Sequence, residues 1–180
     1  LREVYATTGS RIQVRFFGGF GYQPRDIDRP DYLDVGYRQG VPMGGDLTLA
    51  PEGQSAGFLI AAAKDPDGAN LDRIQIVKGW QDAAGELHEK VFDVAASDGR
   101  VVDPKTGKLP PVGSSVDLET ATYLNTIGAA DLAAYWQDPD FDPEQRAFYY
   151  VRVLEIPRPR WTTVDAVFFG IEIPDEAPRT

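Results

Sequence analysis

Ala147-Phe-Tyr-Tyr-Val-Arg-Val-Leu-Glu-Ile156 runs without glycine or proline and is rich in aromatic and β-branched side chains. Such residues suit a pleated, half-buried surface. As a strand, the run places Phe148, Tyr150, Arg152, Leu154 and Ile156 on one face. Tyr149, Val151, Val153 and Glu155 share the other. Both faces are largely apolar, which predicts a central strand covered on both sides. Pro157 and Pro159 end it, because neither can donate to a ladder.

Other segments repeat the pattern. In Arg11-Ile-Gln-Val-Arg-Phe-Phe17, apolar Ile12, Val14 and Phe16 alternate with Arg11, Gln13 and Arg15, a half-buried strand. Val4–Thr8 reads as the end of a strand before it, and Leu47 with Leu49 as a short strand stopped by Pro51. Ala56-Gly-Phe-Leu-Ile-Ala-Ala-Ala63 reads as a buried strand. Leu71-Asp-Arg-Ile-Gln-Ile-Val-Lys78 is expected to form a hairpin with Leu87–Val94 across a turn at Gly79–Gly85. Asp165-Ala-Val-Phe-Phe-Gly-Ile-Glu-Ile173 reads as the last strand. Alanines in Ile127–Trp136 predict a helix, and Asp142-Pro143 followed by Gln145 resembles the start of a second short one. Residues 23–39 and 97–115 are turn-rich and are expected to be loops. The fold class expected is therefore mainly β, an antiparallel β-sandwich with one or two short inserted helices and roughly eight strands. Residues 10–180 are expected to form a single domain.

The chain carries a net charge of −10 with a pI near 4.5, which disfavours phosphate backbones and anionic membrane surfaces as partners. No apolar run reaches the ~20 residues that span a bilayer. The absence of cysteine excludes disulfides, thiolate metal sites and cysteine nucleophiles.

Chemistry-bearing motifs are sparse. His88 is the only histidine, so a multi-histidine metal centre cannot be built within this chain. A Ser-His-Asp triad around it is formally open, yet its setting beside Glu86, Glu89 and Lys90 reads as an exposed strand position. Asp65, Asp67, Asn70 and Asp72 depart from the helix-loop-helix calcium spacing and are explained by turn chemistry. Asp138, Asp140, Asp142 and Glu144 are explained by Asp-Pro turns and a helix N-terminus. Gly40, Gly44 and Gly45 lack the Gly-Lys-Ser/Thr of a phosphate loop. Phe16, Phe17, Phe20, Tyr22 and Trp80 could stack on sugar rings, against the commoner fate of filling a core. Arg158, Arg160 and Trp161 form a basic, aromatic spot suited to an interdomain or ligand contact. No catalytic, cofactor-binding or metal-ligating residue is assigned from these patterns.

Four strings taken together carry a resemblance. They are Arg2-Glu-Val-Tyr-Ala-Thr-Thr-Gly9 with Arg11-Ile12, then Gly40-Val-Pro-Met-Gly-Gly-Asp-Leu47, then Asp65-Pro-Asp-Gly-Ala-Asn-Leu71 with Ile74-Gln-Ile-Val-Lys-Gly-Trp80, and finally Ala147–Ile156 with Pro159-Arg-Trp161. In this order they resemble the C-terminal part of a large bacterial family, domain of unknown function 3604. The resemblance implies relatives of PHP and amidohydrolase-type metal-dependent hydrolases, whose metal-binding histidines precede the part matched here. Residues 1–9 would then be the tail of a metal-binding domain, and the rest a non-catalytic β module that partners the N-terminal domain of its own parent protein. Any divalent metal would belong to that parent. The resemblance also implies a periplasmic or exported setting. Two alternatives remain open on the residues: a carbohydrate- or ligand-binding module using Phe20 and Trp80, and a structural or oligomerisation element using the Pro157–Trp161 bend.

Overall fold

The computed structural model describes residues 3–174 and 176–180, so residues 1 and 2 of the expected tail lie outside the described residues. Seven strands and two α-helices are described: β1 (Gln13–Gly19), α1 (Tyr32–Gln39), β2 (Gly40–Pro42), β3 (Gly57–Ala63), β4 (Leu71–Gln81), β5 (Leu87–Ala96), β6 (Asp131–Gln137), β7 (Ala147–Glu155) and α2 (Trp161–Phe169). They build two antiparallel sheets, a four-stranded one in the order β2-β1-β3-β6 and a three-stranded one in the order β5-β4-β7.

The sheets pack face to face through the side chains that alternation predicts. Ile12, Val14 and Phe16 from the first strand region meet Phe58, Ile60 and Ala62 of β3 and Ile74 and Ile76 of β4 in one core. Tyr149, Val151 and Val153 close it from β7, and Phe92 and Trp136 meet with ring centres 4.8 Å apart. The other face of β1 and β3 holds a second cluster of Phe17, Leu59, Tyr22 and Val35, covered by α1. The expected β4–β5 hairpin is present, with Trp80 opposite His88 and Ile76 opposite Phe92.

Several expectations are corrected. Residues 127–136 are not helical: Asp131–Gln137 is strand β6, paired along its length with β3. Period-two alternation explains it. Leu132, Ala134 and Trp136 enter the main core while Tyr135 packs on the second cluster, and burial against a waiting edge outweighs the few tenths of a kcal/mol per residue of helix propensity. The expected last strand is instead helix α2. Its turns are stopped at Gly170, which adopts the left-handed conformation (φ 63°) and donates its N–H to the Ala166 carbonyl. Residues 32–39, expected as loop, form α1, because Gly36 lets the helix lie on the Phe17 ring. No strand forms at residues 4–8 or 47–49, and residues 142–145 make a single turn rather than a helix. β7, expected to be central, is an edge strand; β4 holds the centre.

Candidate functional site

The most heavily built polar constellation lies at the sheet interface. Ile74, Ile76, Lys78 and Trp80 share the inward face of β4, so the strand carries a lysine into the core. Its side chain is 3% exposed and that of Asp138 is 0%. Lys78 Nζ donates to Asp138 Oδ2 at 2.6 Å and to the Asp140 carbonyl at 2.7 Å. The Tyr149 hydroxyl donates to the same Asp138 oxygen at 2.6 Å, and the Asp140 amide donates to Asp138 Oδ1 at 2.9 Å. Burial first, then the hydrogen bond to the carboxylate, push the Tyr149 phenol well above its ordinary range. Both carboxylate oxygens of Asp138 are engaged, and the side chain is closed to solvent. The cluster therefore ties β4, β7 and the segment after β6 together, and gives an external substrate no route to the carboxylate.

Outside this lock the loop is exposed. Lys90 Nζ meets Asp140 Oδ2 at 2.5 Å, and that hydrogen bond, opposed by partial desolvation, holds the Asp140 carboxyl below its ordinary range. At the β4–β5 turn, His88 Nε2 lies 2.7 Å from Asp82 Oδ2, while Asp82 Oδ1 accepts the amides of Ala84 and Glu86. The His88 bond first, then the Glu86 amide, lower the Asp82 pKa. The imidazole stacks on Trp80 with ring centres 5.2 Å apart. A His-Asp pair is thus present, and among the described residues no serine or threonine hydroxyl is hydrogen-bonded to it. Its geometry organises the turn.

Several other acidic groups have structural partners. Arg11 donates to Asp65 through its amide at 2.8 Å and its guanidinium at 3.1 Å, which holds the Asp65 carboxyl down at about 2, and to Asp67 at 2.5 Å. Asp72 accepts from Arg100 at 2.5 Å. Asp142 Oδ1 accepts the Glu144 amide. Among the described residues no group of three or more histidine, aspartate or glutamate side chains is placed to hold a metal ion. An open hollow of about 430 Å³ beside Pro66 and Tyr123 contains Asp67, which Arg11 already engages.

The aromatic and basic residues expected at a contact are dispersed. Phe16, Phe17 and Tyr22 are buried, and Phe20 is half-buried against Phe141 with ring centres 6.0 Å apart. Trp80 is flanked by His88 and has Lys78 Nζ 5.3 Å from its ring centre. Arg158 Nε lies 3.5 Å from Glu155 Oε2, Arg160 precedes α2 in extended conformation, and Trp161 opens the helix. The Arg160 carbonyl accepts the Thr163 and Val164 amides, and the Pro178 and Arg179 carbonyls of the returning C-terminal segment accept the Thr162 and Thr163 hydroxyls. With Thr163 and Ala166 buried, the helix turns a different stripe outward: Trp161 is 69% exposed, Phe168 79% and Phe169 67%, with Val164 and Val167 beside them. Residues 161, 164 and 168 follow the i, i+3, i+7 spacing of an apolar helix face.

Two of these features were legible only in part. Lys78 continues the inward parity of Ile74 and Ile76, which signals a buried cation in need of an acid. Val164, Val167, Phe168 and Phe169 are strand-forming residues, and only Gly170 marks a helix end.

Comparison with protein families matches the whole chain, residues 1–180, to the family described as protein of unknown function (DUF3604), and the chain belongs to it. No curated protein and no solved structure matches the chain. No helix among the described residues is long and apolar enough to cross a membrane.

Proposed function

We propose that this DUF3604 chain is the non-catalytic C-terminal β module of a metal-dependent hydrolase related to the PHP and amidohydrolase types. Its task is to pack against the metal-binding domain of the same protein. The observation that carries this reading is the contrast between its polar and apolar groups. Buried Asp138, Lys78 and Tyr149 are consumed by one another, while α2 turns Trp161, Val164, Phe168 and Phe169 to solvent. An apolar stripe of this kind marks an association surface rather than a free one. Arg158 and Arg160 precede it as a basic rim, which suits the depletion of acidic residues at the centre of contacts. The resemblance supplies the partner: the histidine-bearing portion that precedes the matched part in the family. On this reading any catalytic metal sits in that domain, and no residue of this chain is assigned to it. The purified chain, incubated with divalent metals and general phosphoester and ester substrates, is expected to show no turnover above buffer. Turnover that co-purifies with the chain and is lost in an Asp82→Asn, His88→Gln double variant would overturn the reading.

A further inference from the structure

We infer that the free edge of β7 is a self-association site, at which a second copy of this chain adds its own β7 antiparallel to the first. This goes beyond the proposed docking of α2 and uses a different surface. Within the three-stranded sheet, β7 bonds to β4 on one side only. The Gln81 amide bonds to the Arg146 carbonyl, so alternation makes Gly79/Phe148, Val77/Tyr150 and Gln75/Arg152 the bonded pairs of that ladder. The amides and carbonyls of Ala147, Tyr149, Val151 and Val153 therefore point away from β4. Among the described residues no backbone group is bonded to them.

Edge strands are ordinarily blunted by shortness, charge, proline or bulges. β2 is three residues long, and β5 carries Glu89, Lys90 and Asp93 with a register shift opposite it. From Ala147 to Val153, β7 has no proline, no glycine and Arg152 as its single charge. On a chain of net charge −10, this is an edge that two copies can bring together without acid facing acid.

The outward side chains fit a two-fold pairing. An axis through Tyr150 sets Tyr149 opposite the second copy's Val151 and Ala147 opposite its Val153, so each outward-pointing backbone group meets its complement. On the outer face, Phe148 is 61% exposed and Tyr150 42% exposed, with parallel rings whose centres are 6.3 Å apart. The same axis places Arg152 across from Phe148, a cation over an aromatic face, and the two Tyr150 rings beside each other. It also keeps the two arginines two positions either side of the axis. A one-residue shift of the axis to Val151 would bring them closer.

The test uses the absence of native cysteine. Light scattering of the purified chain is expected to give a mass twice the monomer's 19.8 kDa as concentration rises, and Tyr150→Lys to return it to monomer. Under air oxidation, Tyr150→Cys, placed on the axis, is expected to form an intermolecular disulfide on the order of 100-fold faster than Leu87→Cys, an exposed site on β5, across the sheet from the β7 edge. A monomer at every concentration would overturn the inference. So would a dimer unaffected by Tyr150→Lys, or equal cross-linking of the two cysteine variants.

Discussion

Lys78 and Asp138 are both shut away from water, so the effect of changing either depends on what the other is left with. Asp138→Ala strands an ammonium and removes the acceptor of the Tyr149 hydroxyl. Breaking a buried pair from one side costs about 3–5 kcal/mol, far more than an exposed pair such as Lys90–Asp140 is worth. Urea denaturation is expected to show a loss in that range for Asp138→Ala and less than about 1 kcal/mol for Lys90→Ala. Replacing all three side chains by apolar residues of similar size, Lys78→Met with Asp138→Leu and Tyr149→Phe, is expected to recover most of the loss, because no buried charge or hydroxyl is then left unpaired and only the part-buried Asp140 amide and carbonyl lose a partner. A triple variant as unstable as Asp138→Ala would show that the cluster contributes through shape rather than charge. The same logic explains why it is an unpromising catalytic centre: each group's capacity is already spent on another.

At the scale of elements, the clearest case is α1 on Phe17. A Cβ on Gly36 would stand 2.6 Å from the Phe17 ring, which is 1% exposed and has no room to retreat. Alanine gains about 1 kcal/mol over glycine in a helix interior, while overpacking a core costs about 1–3 kcal/mol. The clash wins here, and Gly36→Ala is expected to lower stability by about 1–2 kcal/mol in thermal or urea unfolding. A stabilised variant would mean that the helix shifts freely on the sheet. This contact also explains what the sequence concealed. Gly36 and the acids of residues 26–34 look like a loop until the Phe17 face of β1 is known to need a cover. The alternating runs of β1, β4 and β5 were readable because a strand with one buried face writes its period into the chain. β6 was not, since its alanines satisfy helix propensity and sheet alternation equally. Nor was α2, whose β-branched and aromatic residues are strand-like and whose helical state is fixed by the Gly170 stop and by hydrogen bonds to Pro178 and Arg179. The run 147–156 reads as a strand and forms one through Glu155, but its apolar outer face, which predicts burial, belongs to an edge.

At the scale of the molecule, β7 and α2 each present an apolar surface among the described residues, with distinct geometries. The outer face and edge of β7 suit a second sheet, and the α2 stripe suits a groove or a flat apolar face on a neighbouring domain. Candidate site residues were legible to different degrees for a related reason. Trp161, Arg158 and Arg160 are visible as an aromatic and basic spot, but Val167, Phe168 and Phe169 of the stripe lie in residues that read as strand. Phe20 and Trp80 were visible as large aromatics, and only the packed structure shows Phe141 and His88 against them. On the proposed reading the chain serves by docking, with α2 as the contact. Calorimetric titration of the chain against the proposed metal-binding portion, separately produced, tests this most directly. The account predicts a one-to-one complex that Phe168→Asp weakens on the order of 100-fold, while the far-ultraviolet circular dichroism of the chain is unchanged. A complex indifferent to Phe168→Asp and Trp161→Ala, or no complex at all, would contradict it.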